Sequence, residues 1–439
     1  MPPNDAGPPH DAGPLRIALL VYRGKPHCGG QGVYTRHLSR ALTDLGHHVE
    51  VFSGPPYPDL DPRVRLHRLA SLDLYREPDP FRIPGWREFR SWIDVGEFAL
   101  MCTAGFPEPW SFSRRAERAL RDRRHDFDVV HDNQSLGSGL LGVRALGLPV
   151  LGTIHHPITV DRRVDLAHAS GPIRRLTLRR WYGFTRMQTR VARRLDRIVT
   201  VSESSLADIV ADHGVDPSRV RVVHVGVDGD HFRPRPDVEP VAGRVMTTAS
   251  ADVPMKGLLH LLEALAKLRT ERPDAELVVV GRPAEEGPVS RAITRLDLGD
   301  AVRFEGGVSD ERIVELYAEA EVAVVPSLYE GFSLPAVEAM ACGVPLVATT
   351  GGALPEVVGD DGTTAVLVPP ADADALATAI GGLLADPARR RAIGAAGRRR
   401  SVDTYSWEAT ARRTVDLYRE TIELARRHQP TAPPEPATR

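Results

Sequence analysis

At 439 residues, with 42% hydrophobic and 26% charged side chains, the chain is long enough to bury two or three separate cores. A formal charge of −2 removes any global electrostatic case for nucleic acid as a partner. No apolar run approaches the roughly 18 residues of a membrane span, and Cys28, Cys102 and Cys342 are too few, odd in number and too widely spaced for a disulfide framework or a metal-ligand set, as expected in a reducing cytosol.

The opening MPPNDAGPPHDAGP (1–14) has neither a basic nor an apolar stretch of the kind a signal peptide or anchor needs, and it is expected to be disordered and cytoplasmic. RIALLVY (16–22) then reads as a first strand, followed by the loop RGKPHCGGQG and a helix from Val33 to Leu45. HVEVF, DVVH, PVLGTI, RIVTVS and RVRVVHV continue a strand series that closes near residue 225. The Pro- and charge-rich segment 226–240 reads as a linker. A second series follows, with strands in RVMTTAS, AELVVVG, VRF, EVAVVPS, PLVAT and AVLVP and helices near 257–271, 309–320 and 372–386. After Trp407 comes one more helix, and then the disordered tail 428–439. Short apolar runs alternating with helical periods predict an α/β chain of two doubly wound, Rossmann-like domains, 15–225 and 226–404.

The segment EGFSLPAVEAMACGVP (330–345) carries the sharpest chemistry. Gly331 permits a tight turn, Phe332, Ser333 and Leu334 would present N–H groups outward, and Pro335 suits a first helical turn. Such a helix start attracts phosphate. Glu330 just before it and Glu338 one turn inside it are acceptors for the hydroxyls that a nucleotide sugar carries on both sides of its diphosphate. Gly29, Gly30 and Gly32 lie between the first strand and its helix, where backbone can approach a diphosphate. A plain turn explains that glycine run equally well, because the spacing is not that of the dinucleotide fingerprint. Lys256 is one of three lysines among 56 basic residues, although an exposed lysine is usually no more than a solvating group.

The E-x7-E pattern, Lys256-Gly257, the block VVPSLYEGFSLPAVEAMACGVPLVAT and the GG-x-x-x-E of Gly351, Gly352 and Glu356 resemble glycosyltransferase family 4, of the GT-B fold. The resemblance spans roughly residues 15 to 425. It implies an N-terminal acceptor domain, completed by a C-terminal helix (405–427), facing a donor domain across a cleft. It also implies a UDP- or GDP-hexose as co-substrate, with Lys256 on its diphosphate. The arginine that such proteins commonly carry six residues before this lysine is here Ser250, so Lys256, glycine amides, the helix start or Arg282 would neutralise the diphosphate. A lost charge-assisted contact costs about 1.5–3 kcal/mol. The family's H-x-H pattern reads His131-Asp132-Asn133, and its T-x-H reads Thr153-Ile154-His155. His131, Asn133 and His155 are therefore the acceptor-side candidates, and Glu330, His155 and Lys256 the catalytic ones. Adjacent His155 and His156 on a strand would point to opposite faces and have no suitably spaced third ligand, so no metal is expected.

With both carboxylates assigned to hydroxyls, no nucleophile remains for double displacement. The resemblance implies retention of configuration by attack on the face that the diphosphate leaves. A GT-B sugar-nucleotide 2-epimerase and an inactive nucleotide-sugar-binding subunit are the competing readings. Residues 161–197, with eleven arginines and three aspartates, read either as a basic amphipathic helix for an anionic membrane, with a lipid acceptor and peripheral attachment, or as a solvated face.

Overall fold

The computed structural model of the protein describes residues 13–25, 30–76, 78–249 and 252–428. The chain divides into two compact units. The first comprises residues up to Thr200, Leu206–Val223 and the chain from Ala411, and the second Val201–Ser205 and His224–Thr410.

The first unit is built on seven parallel strands: β1 (Arg16–Val21), β2 (His48–Ser53), β3 (Arg65–Arg68), β4 (Val129–Asn133), β5 (Val150–Ile154), β6 (Arg197–Thr200) and β7 (Val220–Val222). Their order is β3-β2-β1-β4-β5-β6-β7. β4 and β5 are buried at every position, as expected for strands covered on both faces. The order reverses direction between β1 and β4, where Val21 pairs with Asn133, and a doubly wound sheet binds ligands at the carboxyl ends beside such a switch. The strand β3, sequence RLHR and only partly buried, has no apolar alternation from which to predict it.

Three expectations change here. The helix after β1 begins at Gly30 (Gly30–Asp44), so Gly30 and Gly32 lie in its first turn instead of a free loop. A Cβ on Gly32 would stand 2.0 Å from the Lys25 carbonyl oxygen, so Gly32 is there for close packing of loop on helix. Second, residues 161–197 are not one helix. Helices Ile158–His168, Pro172–Trp181 and Thr185–Ala192 divide them, with Gly171 at φ +83 and Pro172 starting the middle one. Third, the region between β3 and β4, left unassigned in the sequence, folds into helices Trp92–Cys102 and Glu108–Arg121. Phe98 and Met101 of the first helix, Phe106 between the two and Trp181 close a small aromatic core around Leu72, Leu74 and Tyr75. The last helix, Trp407–His428, belongs to this unit from Ala411 onward, and its Glu420 pairs with Arg197 at 2.5 Å.

The second unit carries β8 (Arg244–Thr248), β9 (Glu276–Val280), β10 (Val302–Glu305), β11 (Val322–Val325), β12 (Leu346–Thr349) and β13 (Val366–Val368). Their parallel order is β10-β9-β8-β11-β12-β13. Its core joins Val245, Leu277, Val279, Val324 and Val347 of the sheet to Leu261, Leu265 and Leu268 of helix Leu258–Glu271 and to Ile380 and Leu383 of helix Ala373–Ala385. The switch point lies between β8 and β11. Gly29, Cys28, Ser250 and most of both expected tails lie outside the described residues.

Candidate active site

In the second unit, three segments leave the carboxyl ends of neighbouring strands and pack on one another. After β8, a short turn Pro254–Lys256 ends on Gly257 at φ +67, where a Cβ would lie 1.9 Å from the Pro326 carbonyl oxygen. After β11, Leu328 N–H donates to the Met255 carbonyl at 2.8 Å. After β12, Gly351 and Gly352 lie against Leu328 and Glu330, where a Cβ on either would come within 2.6 Å of a backbone oxygen. The glycines of Lys256-Gly257 and of the GG-x-x-x-E motif thus let three backbones meet at contact distance. The side chains follow the backbones: Lys256 Nζ lies 2.8 Å from Glu330 Oε1, and Ser327 Oγ donates to the same oxygen at 2.6 Å. The Lys256 side chain is 33% exposed and that of Glu330 11%, so a ligand can reach both. One ammonium proton is engaged, which leaves two donors for another anion.

The helix Leu334–Ala341 begins beside this pair. Ser333 caps it in a left-handed conformation at φ +96, and its hydroxyl accepts from Ala336 N–H. Non-glycine residues in that region are strained, and such strain concentrates at ligand sites. Among the described residues, the N–H groups of Phe332, Ser333 and Leu334 find no acceptor. The turn is held from behind, where the Gly331 carbonyl accepts from Ser202 Oγ at 2.6 Å and Ser205 Oγ at 3.2 Å. Glu338 follows one turn into the helix, and its carboxyl is pushed up to about 7, first by burial and then by the charge of Asp310. Glu356 does structural work. It accepts Glu203 N–H at 2.9 Å and meets His224 Nε2 at 2.9 Å. Arg282, the substitute considered for the missing arginine, donates to the Gly306 carbonyl at 3.0 Å.

The N-terminal candidates form a closed network at the ends of β4 and β5. His131 is fully buried, with Nδ1 2.7 Å from the Tyr418 hydroxyl and Nε2 2.6 Å from Thr153 Oγ1. Burial holds it neutral, with its pKa pulled down to about 3 and the charge of nearby His155 adding to the effect. Asn133 is equally enclosed: its Nδ2 donates to the Gln31 carbonyl and Thr35 Oγ1, each at 3.0 Å, and its Oδ1 meets His155 Nε2 at 2.7 Å. These contacts correct the reading of His131 and Asn133 as groups that touch an acceptor. His131 ties two strands to the last helix, and Asn133 orients His155.

His155 is the member of the network that lies nearer the surface. It packs edge-on against Tyr34 at 4.7 Å, and burial brings its pKa down to about 3. Because an amide oxygen only accepts, Nε2 carries the proton of the neutral ring. His156 turns elsewhere, to Asp161 at 3.0 Å. Gln134, absent from the sequence reading, fixes this corner by accepting His155 N–H at 2.8 Å and donating to the His156 carbonyl at 3.0 Å. Its φ of +61 has no signature in the sequence. Ser327 could have been found, since it lies inside the motif block three residues before Glu330.

Known proteins match this chain over nearly its whole length. Residues 28–231 match the family described as Glycosyltransferase Family 4, and residues 235–400 the family described as Glycosyl transferases group 1. An MMP alpha-(1->4)-mannosyltransferase of Mycolicibacterium hassiacum is 55% identical over 93% of this chain and 98% of its own length. A D-inositol 3-phosphate glycosyltransferase 2 of Catenulispora acidiphila is 31% identical over 93% and 96%. Among solved structures, sucrose-phosphate synthase from Thermosynechococcus elongatus superposes with a TM-score of 0.70 at 26% identity, covering 93% of this chain and 100% of its own. HepE from Anabaena, in complex with UDP and glucose, gives 0.69 at 18% identity over 92% and 99%, a likeness of fold.

Proposed function

This chain belongs to the glycosyltransferases of family 4 and group 1, and we propose that it moves a hexose, with retention of anomeric configuration, from a UDP- or GDP-activated donor to a hydroxyl of a glycan or lipid intermediate. The observation that carries this reading is the Lys256–Glu330 pair at 2.8 Å beside a helix start where the N–H groups of Phe332, Ser333 and Leu334 have no acceptor among the described residues. The name of the Mycolicibacterium hassiacum relative, 55% identical over nearly its whole length, makes mannose the hexose we favour.

In this reading the diphosphate lies on the N–H groups of residues 332–334 and on the remaining donors of Lys256. Glu330 takes hydroxyls of the transferred sugar and Glu338 those of the ribose. The bond between the anomeric carbon and the phosphate oxygen breaks with its electron pair going to the diphosphate. The acceptor oxygen forms its bond on the same face, and its proton passes to the departing phosphate oxygen. Neutral His155, with Nε2–H already committed to Asn133, is suited to orienting an acceptor hydroxyl and unsuited to taking its proton. Lys256 and the backbone dipoles stabilise the charge that develops on the leaving group, and the scheme requires no metal.

The test is a thermal-shift panel of UDP, GDP, ADP and their hexose conjugates on the wild type and Lys256→Ala, followed by measurement of nucleotide release from the best ligand. A selective shift that weakens in the variant, with release from the wild type, is expected. A donor that binds and is never turned over with any acceptor would favour the inactive-subunit reading, and no shift with any nucleotide would remove the donor site.

A further inference from the structure

The arginines of 161–197 are not equivalent once folded. Arg163 pairs with Asp212 at 2.5 Å, Arg193 donates to the His213 carbonyl at 2.6 Å, and Arg197 pairs with Glu420 at 2.5 Å. Helix Pro172–Trp181 differs: it holds four arginines and no acidic residue, and Arg174 and Arg179 enter no ion pair among the described residues. Its inner side is marked by Leu178, 7% exposed, while Ile173 and Leu176, one ridge of the outer side, are 81% and 68% exposed.

A second element shares this surface. Phe81 lies 5.4 Å from Tyr75 and 6.2 Å from Trp181, which brings the loop 78–91 alongside the last turn of that helix. The loop presents Ile83 at 83% exposure and Trp86 at 79%, with the Arg87 guanidinium 5.0 Å over the Trp86 ring. Of the ten exposed large hydrophobic side chains among the described residues, seven belong to this loop, the helix Trp92–Cys102 that follows it and helix Pro172–Trp181, all elements that contribute to the one aromatic mini-core. A solvated face scatters its apolar groups, and this one collects them.

We propose that this face of the first unit docks on an anionic bilayer surface, with Ile83, Trp86, Ile173 and Leu176 entering the interfacial layer and Arg87, Arg174 and Arg179 meeting lipid phosphates. The pairing of indole and aliphatic tips with arginines suits the headgroup boundary, where apolar groups enter the acyl edge and cations stay at phosphate level. A carbohydrate surface would need free carboxylates or amides beside the rings to read hydroxyls; Glu88, the carboxylate nearest Trp86, is held by Arg82 at 2.6 Å and by Gly85 N–H at 2.7 Å, and branched aliphatic tips give no flat face on which to stack a sugar.

The test is co-sedimentation of the full chain with phosphatidylcholine vesicles with and without phosphatidylglycerol, together with the tryptophan emission shift. Wild type should bind only the anionic vesicles, release with rising salt and show a blue shift. Ile173→Ser with Leu176→Ser, and separately Arg174→Glu with Arg179→Glu, should each lower binding at least about tenfold. Melting temperature and nucleotide release should stay as in the wild type, which separates this surface from the donor site. Trp86→Ser should remove most of the blue shift. Wild type left in the supernatant with anionic vesicles, or variants that bind as well as wild type, would overturn the proposal. Retention on immobilised mannan without vesicle binding would also overturn it and make the face a glycan surface.

Discussion

The ends of β8, β11 and β12 in the second unit and the ends of β4 and β5 in the first are built from similar materials, charged or polar side chains at a switch point, and end in opposite states. Around Glu330 the groups have spare capacity: two unused donors on Lys256, N–H groups without acceptors and a strained Ser333. Around His131 the hydrogen bonds close on themselves, with both ring nitrogens and three positions of the Asn133 amide engaged inside the fold. Polar groups in low dielectric are costly unless satisfied. A region that leaves them open at a surface is prepared for a ligand, and one that closes them is a scaffold.

The sharpest way to break this contrast is to remove charge from each region. Glu330→Gln keeps shape and volume but loses the anion that faces Lys256. Turnover should fall about 10²–10³-fold, as when a preorganised electrostatic contact is lost, while stability moves by no more than about 1 kcal/mol because the Lys256 side chain, a third exposed, can turn its charge to water. Nucleotide-release rates and a melting curve on the same preparation check both halves. An equal loss in stability would mean that the pair is scaffold too.

His131→Ala should do the reverse. It opens a cavity and takes a hydrogen-bond partner from the Tyr418 and Thr153 hydroxyls, at a cost of about 3 kcal/mol in denaturant unfolding of the first unit. Nucleotide binding, assigned to the second unit, should survive. The pH dependence has a definite sign. Folded His131 resists protonation down to about 3, whereas in the unfolded chain it titrates near its usual 6.5. The unfolded state therefore binds the extra proton between those values, and stability falls as pH drops from 7 toward 4. The variant should lose part of that slope, and an unchanged slope would mean that His131 does not carry it.

The same contrast decides what could be read from the sequence. The six strands of the second unit were legible because all but β10 (VRFE) are runs rich in β-branched and aliphatic residues between turns, and the site segment was legible because its residue types stand at fixed spacing: glycines where backbones touch, a proline at a helix start, two carboxylates eight positions apart. The first unit hid more. The strand RLHR carries no clean period, and in the region after it the burial comes from an aromatic mini-core assembled with Trp181, distant in sequence. Gly30 and Gly32 looked like a phosphate loop because the helix start at Gly30 and the packing of Gly32 against the Lys25 carbonyl have no local signature. The burial of His131 depends on Tyr418, 287 residues away, which no local pattern records.

Glu338 lies between the two regimes and gives the finest test. It is only partly buried, unlike the fully enclosed scaffold groups, and stands on the helix that starts at the donor site, and with its pKa pushed up to about 7 by burial it is about half protonated at neutral pH. Ribose hydroxyls donate more strongly to a carboxylate than to a carboxylic acid, so ligand binding should favour the ionised form. The diphosphate of a nucleotide sugar, esterified at both ends, does not titrate near 7, so the protein alone sets the pH dependence of its affinity. Affinity should then rise by up to about tenfold from pH 6 to pH 8 and level off above, following the ionised fraction. Folding stability moves the other way, because the folded state holds a proton that the unfolded chain gives up near 4.5, and that contribution is lost as pH rises through about 7. Titration calorimetry of the nucleotide sugar at three pH values, on wild type and Glu338→Gln, separates the effects. A flat profile in the variant would place Glu338 on the ribose, and an unchanged slope would assign the carboxyl to the fold, leaving Glu330 and Lys256 as the charged groups of the site.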